Sequence, residues 1–333
     1  MERKYRLTAR ACYAGSVVQA VVNNLLPLFY AIFQTDFSIG AAQLGTFALL
    51  NFTVQLVVDL LAVRYADRIG YRRCIVAAHA LIALGLTLLG ILPRVLESAY
   101  AGIAIAIVVN SCGSALIEVL VSPLIEAIPK KDNAAGMAFL HSFYCFGQML
   151  TVLLTTGALL LFGGACWAYI PFFWAVLPFV NLFVFAKAPL RTLAEEGAPP
   201  MPLRRLFSNG LFWLLLLLMA CAGACEMAMS QWASYFAERG LGVGKAAGDV
   251  LGVCGFALFM AAGRVLYGIL GSRLRLLWAL GGSAALCVAC YLAAALSGNP
   301  ALALAGCALC GLSVALLWPG VFSLAAAQLR SGG

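Results

Sequence analysis

Ten times along the chain, about twenty residues or more pass with hardly a charge before a short polar stretch interrupts them. A helix rising 1.5 Å per residue needs a run of that length to cross about 30 Å of hydrocarbon. The runs fall near residues 9–33, 41–64, 74–92, 98–127, 134–162, 166–187, 210–236, 247–270, 275–297 and 301–328, and they are numbered as predicted spans 1 to 10. Lipid offers the backbone no hydrogen bonds, so each run has to satisfy its own peptide groups. The period-2 alternation of an outer-membrane barrel strand is absent. The predicted fold class is therefore all-α, a polytopic membrane helix bundle. A soluble chain of 333 residues would need a charged shell, and 13 acidic with 21 basic residues cannot build one.

The basic residues orient the bundle. Arg3, Lys4, Arg6 and Arg10 of the N-terminal tail, the arginines of the 2/3 loop, Lys130 and Lys131, Lys187, Arg191, Arg204 and Arg205 of the 6/7 loop, Arg273 and Arg275, and Arg330 fall on one side. The other side has only Arg94, Arg239 and Lys245. The positive-inside bias predicts a multi-pass protein of the plasma (inner) membrane with a cytoplasmic N-terminus. It also accounts for the net charge of +8 without nucleic acid as a partner, since no solvated basic stripe remains to bind one. Predicted span 1 is too long for a signal-peptide core and has no evident cleavage site, so it is expected to be retained.

One loop carries more than topology. Arg64 to Cys74 reads RYADRIGYRRC, four arginines and an aspartate in a chain with 10% charged residues. The positive-inside bias explains the arginines but not Asp67 or Gly70. With Val63, Asp67, Arg68, Gly70, Arg72 and Arg73, the stretch resembles the loop between spans 2 and 3 of the major facilitator superfamily, with Val63 where glycine is usual. The resemblance implies a cytoplasmic gate formed by Asp67, Arg68, Gly70 and Arg72, its aspartate held by arginine and by the positive end of a helix in the opposite half. A degenerate copy lies between predicted spans 8 and 9, where Gly268, Ser272, Arg273 and Arg275 parallel Val63, Asp67, Arg68 and Gly70. Two repeated halves follow: a six-helix half over 1–187, a cytoplasmic linker over 188–208, and a four-helix half over 209–333. The family normally has twelve spans, so the second half is expected either to lack its last two or to borrow partner helices.

Polar side chains inside the spans are the candidates for function, because hydrocarbon excludes them and ionisable ones cost about 2.5 to 3.5 kcal/mol on insertion scales. Predicted span 1 carries Ser16, Gln19, Asn23 and Asn24, with Pro27 placed to free the carbonyl of Asn23. Predicted span 2 has Asn51, Gln55 and Asp59; span 4 has Ser111, Ser114, Glu118 and Ser122, with Pro123 beyond; span 5 has His141, Tyr144, Gln148, Thr151 and Thr155; span 7 has Glu226 and Ser230. Spacings of three and four place each set on one helix face. Hydroxyls on such faces read first as glue between helices. Asn23, Tyr144, Gln148 and His141 read equally as glue or as ligands for a solute. Glu118 and Glu226 read as functional, being near mid-span in a membrane core whose one evident cation is Arg264. Asp59 and Glu126, nearer the span ends, are expected to be satisfied by water or the basic loops, and His79 to be structural.

Within the superfamily, the stretches IEVLVSPLIEAIP, MAFLHSFYCFGQ and ACEMAMSQWASYFAERGLGV are most similar to the fucose-permease-like sugar transporters. That resemblance implies that Glu118, matching the acid of span 4, binds the coupling proton, and that polar residues of spans 1, 4, 5 and 7 contact the solute. Asn23 and Asn24 stand where that group can carry a second acid. The expected substrate-binding set is Asn23, Asn24, Gln55, His141, Tyr144, Gln148, Glu226 and Ser230. The cysteine pairs CVAC, CALC and CAGAC lie in apolar helices and read as small packing residues, as does the Gly244, Gly248, Gly252 row. With no phosphate loop, catalytic triad, metal constellation or cofactor motif in view, an enzyme is not expected. The sequence points to a secondary transporter that moves a small polar solute, such as a sugar or related metabolite, by alternating access and proton coupling. A drug or metabolite efflux antiporter, or a receptor-like or fragmentary relative without transport, is the competing reading.

Overall fold

A computed structural model describes residues 3–128, 133–190, 207–270 and 275–328. Among these, ten helices are long and apolar enough to cross a membrane: span 1 (Arg6–Asp36), span 2 (Ala41–Ala66), span 3 (Tyr71–Val95), span 4 (Ala99–Ile125), span 5 (Leu140–Phe162), span 6 (Gly164–Lys187), span 7 (Gly210–Gly240), span 8 (Lys245–Tyr267), span 9 (Leu276–Leu296) and span 10 (Pro300–Val321). Lys130, Lys131, Arg191, Arg204, Arg205, Ser272, Arg273 and Arg330 lie outside the described residues.

Helix starts follow local chemistry. Ser98 Oγ accepts from the Ala101 amide at 3.2 Å, Asn209 Oδ1 from Leu211 at 3.0 Å, and Asn299 Oδ1 from Ala301 at 2.9 Å, so spans 4, 7 and 10 each begin on a side-chain cap. Pro27 has the consequence its missing N–H requires: the α-helix Arg6–Leu25 gives way to a 3-10 turn at Leu26–Phe29 before Tyr30–Asp36 resumes.

The chain divides into two compact units, residues 1–193 and 194–333. In the first, span 4 packs against spans 1, 2 and 3, and span 1 also packs against spans 5 and 6. Spans 3 and 4 meet at Gly113, where a Cβ would come within 2.5 Å of the Ala78 carbonyl and 2.6 Å of Ile82. Trp167, at the start of span 6, closes against Phe29 and Phe33 of span 1 with ring centroids 5.9 and 5.1 Å apart. His79 is fully buried, its Nδ1 2.8 Å from the Ile75 carbonyl and its Nε2 2.9 Å from the Asn181 amide, which also donates to Ala11 O at 3.0 Å. Only a neutral ring with its proton on Nδ1 satisfies both contacts, so His79 joins spans 1, 3 and 6 as a structural residue. In the second unit span 10 packs against spans 7, 8 and 9. Of the glycine row in span 8, Gly248 lies against Ala237 and Gly252 against Leu304, whereas Gly244 has open space around it and is no packing contact.

The Asp67 to Arg73 loop turns between two helices. Gly70, at φ 96°, ends the helix Ala41–Ile69 in a conformation that glycine tolerates and side chains resist. Arg72 has a role the sequence did not suggest: Nη1 donates to the carbonyls of Phe185 at 3.0 Å and Ala186 at 2.5 Å, and Nη2 to Ala188 at 2.7 Å. A guanidinium thus caps the C-terminus of span 6, where the last carbonyls have no helical partner and the dipole favours a cation. Thr8 Oγ1 takes the next carbonyl, Pro189 O, at 2.7 Å. Arg68 is exposed, and the Asp67 side chain lies outside the described part of the structure.

Candidate functional site

The polar faces of four helices meet inside the first unit. Gln55 of span 2 donates through Nε2 to Asn51 Oδ1 at 3.0 Å and to Asn23 Oδ1 of span 1 at 3.2 Å. Asn51 also accepts from Ser111 of span 4 at 2.7 Å. Asn23 in turn donates to Tyr144 Oη of span 5 at 3.4 Å. One chain of hydrogen bonds therefore runs from span 5 through spans 1 and 2 to span 4. A hydrogen bond between membrane helices averages about 0.6 kcal/mol, so this chain can both tie the unit and be rearranged at small cost.

Next to it stands Glu118. Gln19 of span 1 donates from Nε2 to Glu118 Oε2 at 2.9 Å. The carboxylate is exposed on its own unit, not sealed in its core as its position inside span 4 suggested. Asp59 departs further from expectation. It is half-buried, and its Oδ1 is sealed from solvent with no hydrogen-bond partner among the described residues. Among the described residues, no arginine of the basic loop pairs with that oxygen.

Of the other predicted ligands, Gln148 is buried on span 5 with its Nε2 unpartnered among the described residues, and Ser114 Oγ on span 4 is in the same condition. His141 is exposed at one end of the span 5 stripe. Asn24 does not join the group, because its amide donates to Ala20 O of its own helix at 2.8 Å and its side chain is buried there.

Glu226 and Ser230 belong to the second unit. Glu226 Oε1 lies 3.6 Å from Arg264 Nη2, so the acid and cation that the sequence set apart form an ion pair between spans 7 and 8. Ser230 hydrogen-bonds back to Met227 O of its own helix at 3.4 Å. The second unit also holds a cluster that sequence reasoning missed. Asp249, fully buried, accepts a short hydrogen bond from Ser234 and lies 3.3 Å from Lys245, which also reaches Glu238 at 4.0 Å. The helices here pass through π turns at Phe236–Gly240 and Gly248–Cys254. The available signal was an i, i+4 Lys–Asp pair beside an apolar run, which was read only as topology. The twelve cysteines are free thiols, and no group of three His, Cys, Asp or Glu among the described residues could hold a metal ion.

The family model described as Major Facilitator Superfamily matches residues 12–332. No curated protein matches the chain. Among solved structures, the E. coli fucose:proton symporter FucP is similar at 16% identity and TM-score 0.69, over 97% of this chain and 84% of that one. The D-xylose-proton symporter is similar at 14% identity and TM-score 0.72, over 96% and 82%. A bacterial homolog of the human lysosomal transporter Spinster, in an inward-facing and occupied conformation, is similar at 15% identity and TM-score 0.70, over 98% and 76%. At these identities the likeness is one of fold.

Proposed function

The chain belongs to the Major Facilitator Superfamily, and from that premise we propose that it is a secondary transporter coupling a proton to the movement of a small polar solute, a neutral sugar being the leading class. The observation that carries the reading is Glu118, a carboxylate inside span 4 that is exposed on its own unit and held by Gln19 beside a chain of amides and hydroxyls on spans 1, 2, 4 and 5. Amides and hydroxyls suit a solute that both donates and accepts hydrogen bonds; a lipophilic cation would leave them unpaired at about 1–3 kcal/mol each. Two of the structurally similar proteins bear names that pair a sugar with a proton, which supports the class without fixing the sugar.

In this reading Asn23, Gln55, Tyr144 and Gln148 bind the solute with His141 at the margin, and Glu226 and Ser230 contribute from the second half. Protonation of Glu118 removes the charge that Gln19 holds, which permits the occluded state; release of the proton on the far side resets the cycle. Residues 1–187 and 209–333 act as the two rocking halves, and the loop of Asp67, Arg68 and Gly70 closes the cytoplasmic side in a plasma membrane protein whose N-terminus is cytoplasmic.

The test is uptake of radiolabelled fucose and xylose into proteoliposomes with and without an imposed pH gradient. Accumulation of one of them driven by the gradient is expected. Glu118→Gln, which imitates the protonated acid at nearly constant size, should abolish that accumulation while leaving counterflow measurable. Undiminished gradient-driven uptake by Glu118→Gln overturns the coupling role, and gradient-driven expulsion of a lipophilic cation with no sugar uptake favours an efflux antiporter.

A further inference from the structure

We propose that the ion pair of Glu226 and Arg264 is a charge filter for the solute, taking the hydroxyls of a neutral sugar and turning away its acidic and its amino counterparts; the proposal rests on the sugar-transport reading above and brings Arg264 into it. Charges are rare in the second unit. From Leu276 to Gln328 the chain contains no Asp, Glu, Lys or Arg. In spans 7 and 8, Glu238, Arg239, Lys245 and Asp249 are gathered where the two spans join, with Lys245 3.3 Å from Asp249 and 4.0 Å from Glu238. Glu226 and Arg264 stand apart from that cluster, about 18 Å along span 7 from Glu238 and about 22 Å along span 8 from Asp249. There Glu226 Oε1 lies 3.6 Å from Arg264 Nη2, with 12% of the acid's side chain and 21% of the base's exposed. An acid and a base inside membrane helices are costly, and as a rule they face the bundle interior or a water-filled path and not lipid.

The pair is neutral as a whole, and charge alone holds its members together, since 3.6 Å is beyond the reach of a hydrogen bond. An ionised carboxylate has about four lone-pair positions, so one contact with Arg264 leaves Glu226 acceptors to offer. One turn before it lies Gly223, where an added Cβ would meet no atom within 4 Å, so the helix face beside the carboxylate is clear. A sugar hydroxyl both donates and accepts, and adjacent hydroxyls can bond carboxylate and guanidinium together without disturbing the balance of charge. A carboxylate on the sugar is drawn to Arg264 but repelled by Glu226, and an ammonium the reverse, so either charge leaves water without a net attraction to repay it. Removing one member of the pair uncovers the charge of the other, and the favoured solute changes with it.

The test is binding of radiolabelled sugars to the purified full chain in detergent at neutral pH. The probes are two series that differ only in charge: glucose, glucuronate and glucosamine, and galactose, galacturonate and galactosamine. The wild type should prefer the neutral member of one series. Glu226→Gln should gain about tenfold for the uronate and Arg264→Gln about tenfold for the amino sugar, while Arg264→Lys, which keeps the charge, retains the wild-type ranking. Glu226→Gln/Arg264→Gln leaves no charge uncompensated, so it remains measurable even where a single variant fails to fold. In it the neutral sugar should bind about tenfold more weakly, because charge-assisted bonds are replaced by ordinary ones. An unaltered ranking in the single variants overturns the filter, as does unaltered affinity for the neutral sugar in the double variant. If neither the wild type nor any variant binds a member of either series, the sugar reading fails and the filter with it, a pattern distinct from binding that is unsorted by charge.

Discussion

At the residue scale, Asn23 is a junction between helices. Its side-chain oxygen accepts a hydrogen bond from Gln55 and its amide nitrogen donates one to Tyr144, so one amide links spans 1, 2 and 5. Replacing it by leucine removes these two contacts and deprives buried Gln55 of one of its acceptors; a loss of about 1–3 kcal/mol is expected, read as a lower midpoint of thermal unfolding in detergent. Tyr144→Phe, which gives up the 3.4 Å bond to Asn23 at a half-buried ring, should cost less. The stripes themselves were legible, because spacing alone puts Asn51 and Gln55 on one face. Their partners were not, since nothing in a single helix says that Gln55 faces Asn23 or that Glu226 faces Arg264. Asp59 was misread for a related reason: its distance from the basic loop was counted along the chain, whereas its satisfaction depends on which groups surround it across the bundle.

At the scale of elements, helix approach is set by where the backbone is bare. Gly113 lets span 4 touch span 3 directly, so Gly113→Ala has to push the helices apart or distort one, at a cost of about 1–3 kcal/mol. Gly157 in span 5 has no atom within 4 Å of an added Cβ, so Gly157→Ala should be neutral or stabilising by up to about 1 kcal/mol through helix propensity. Both follow from the same thermal unfolding measurement, and equal destabilisation by the two would contradict the packing described. The sequence showed ten helices because each crossing imposes its own length. It could not separate a packing glycine from an idle one, and in span 8 it assigned Gly244 to a contact that belongs to Gly248 and Gly252.

At the scale of the whole molecule, the charge asymmetry makes a topological prediction: reporter fusions at Lys130 and Arg204 should register as cytoplasmic and one at Lys245 as external, and an external Arg204 would contradict the span count. The twofold pattern in the sequence was visible through its first copy, around Asp67; the second copy, at Ser272 and Arg273, falls outside the described residues. What the charge pattern concealed was a use for one of the arginines. Arg72 and Thr8 together hold the carbonyls of Phe185, Ala186, Ala188 and Pro189, where the chain leaves span 6 for the long connection beyond it. The final turn of a helix is ordinarily the first to fray, yet this one is clamped to spans 1 and 3, like the strain relief where a cable enters its plug. Any pull transmitted along the connection is therefore delivered to the body of the first unit, and not spent unwinding the end of one helix.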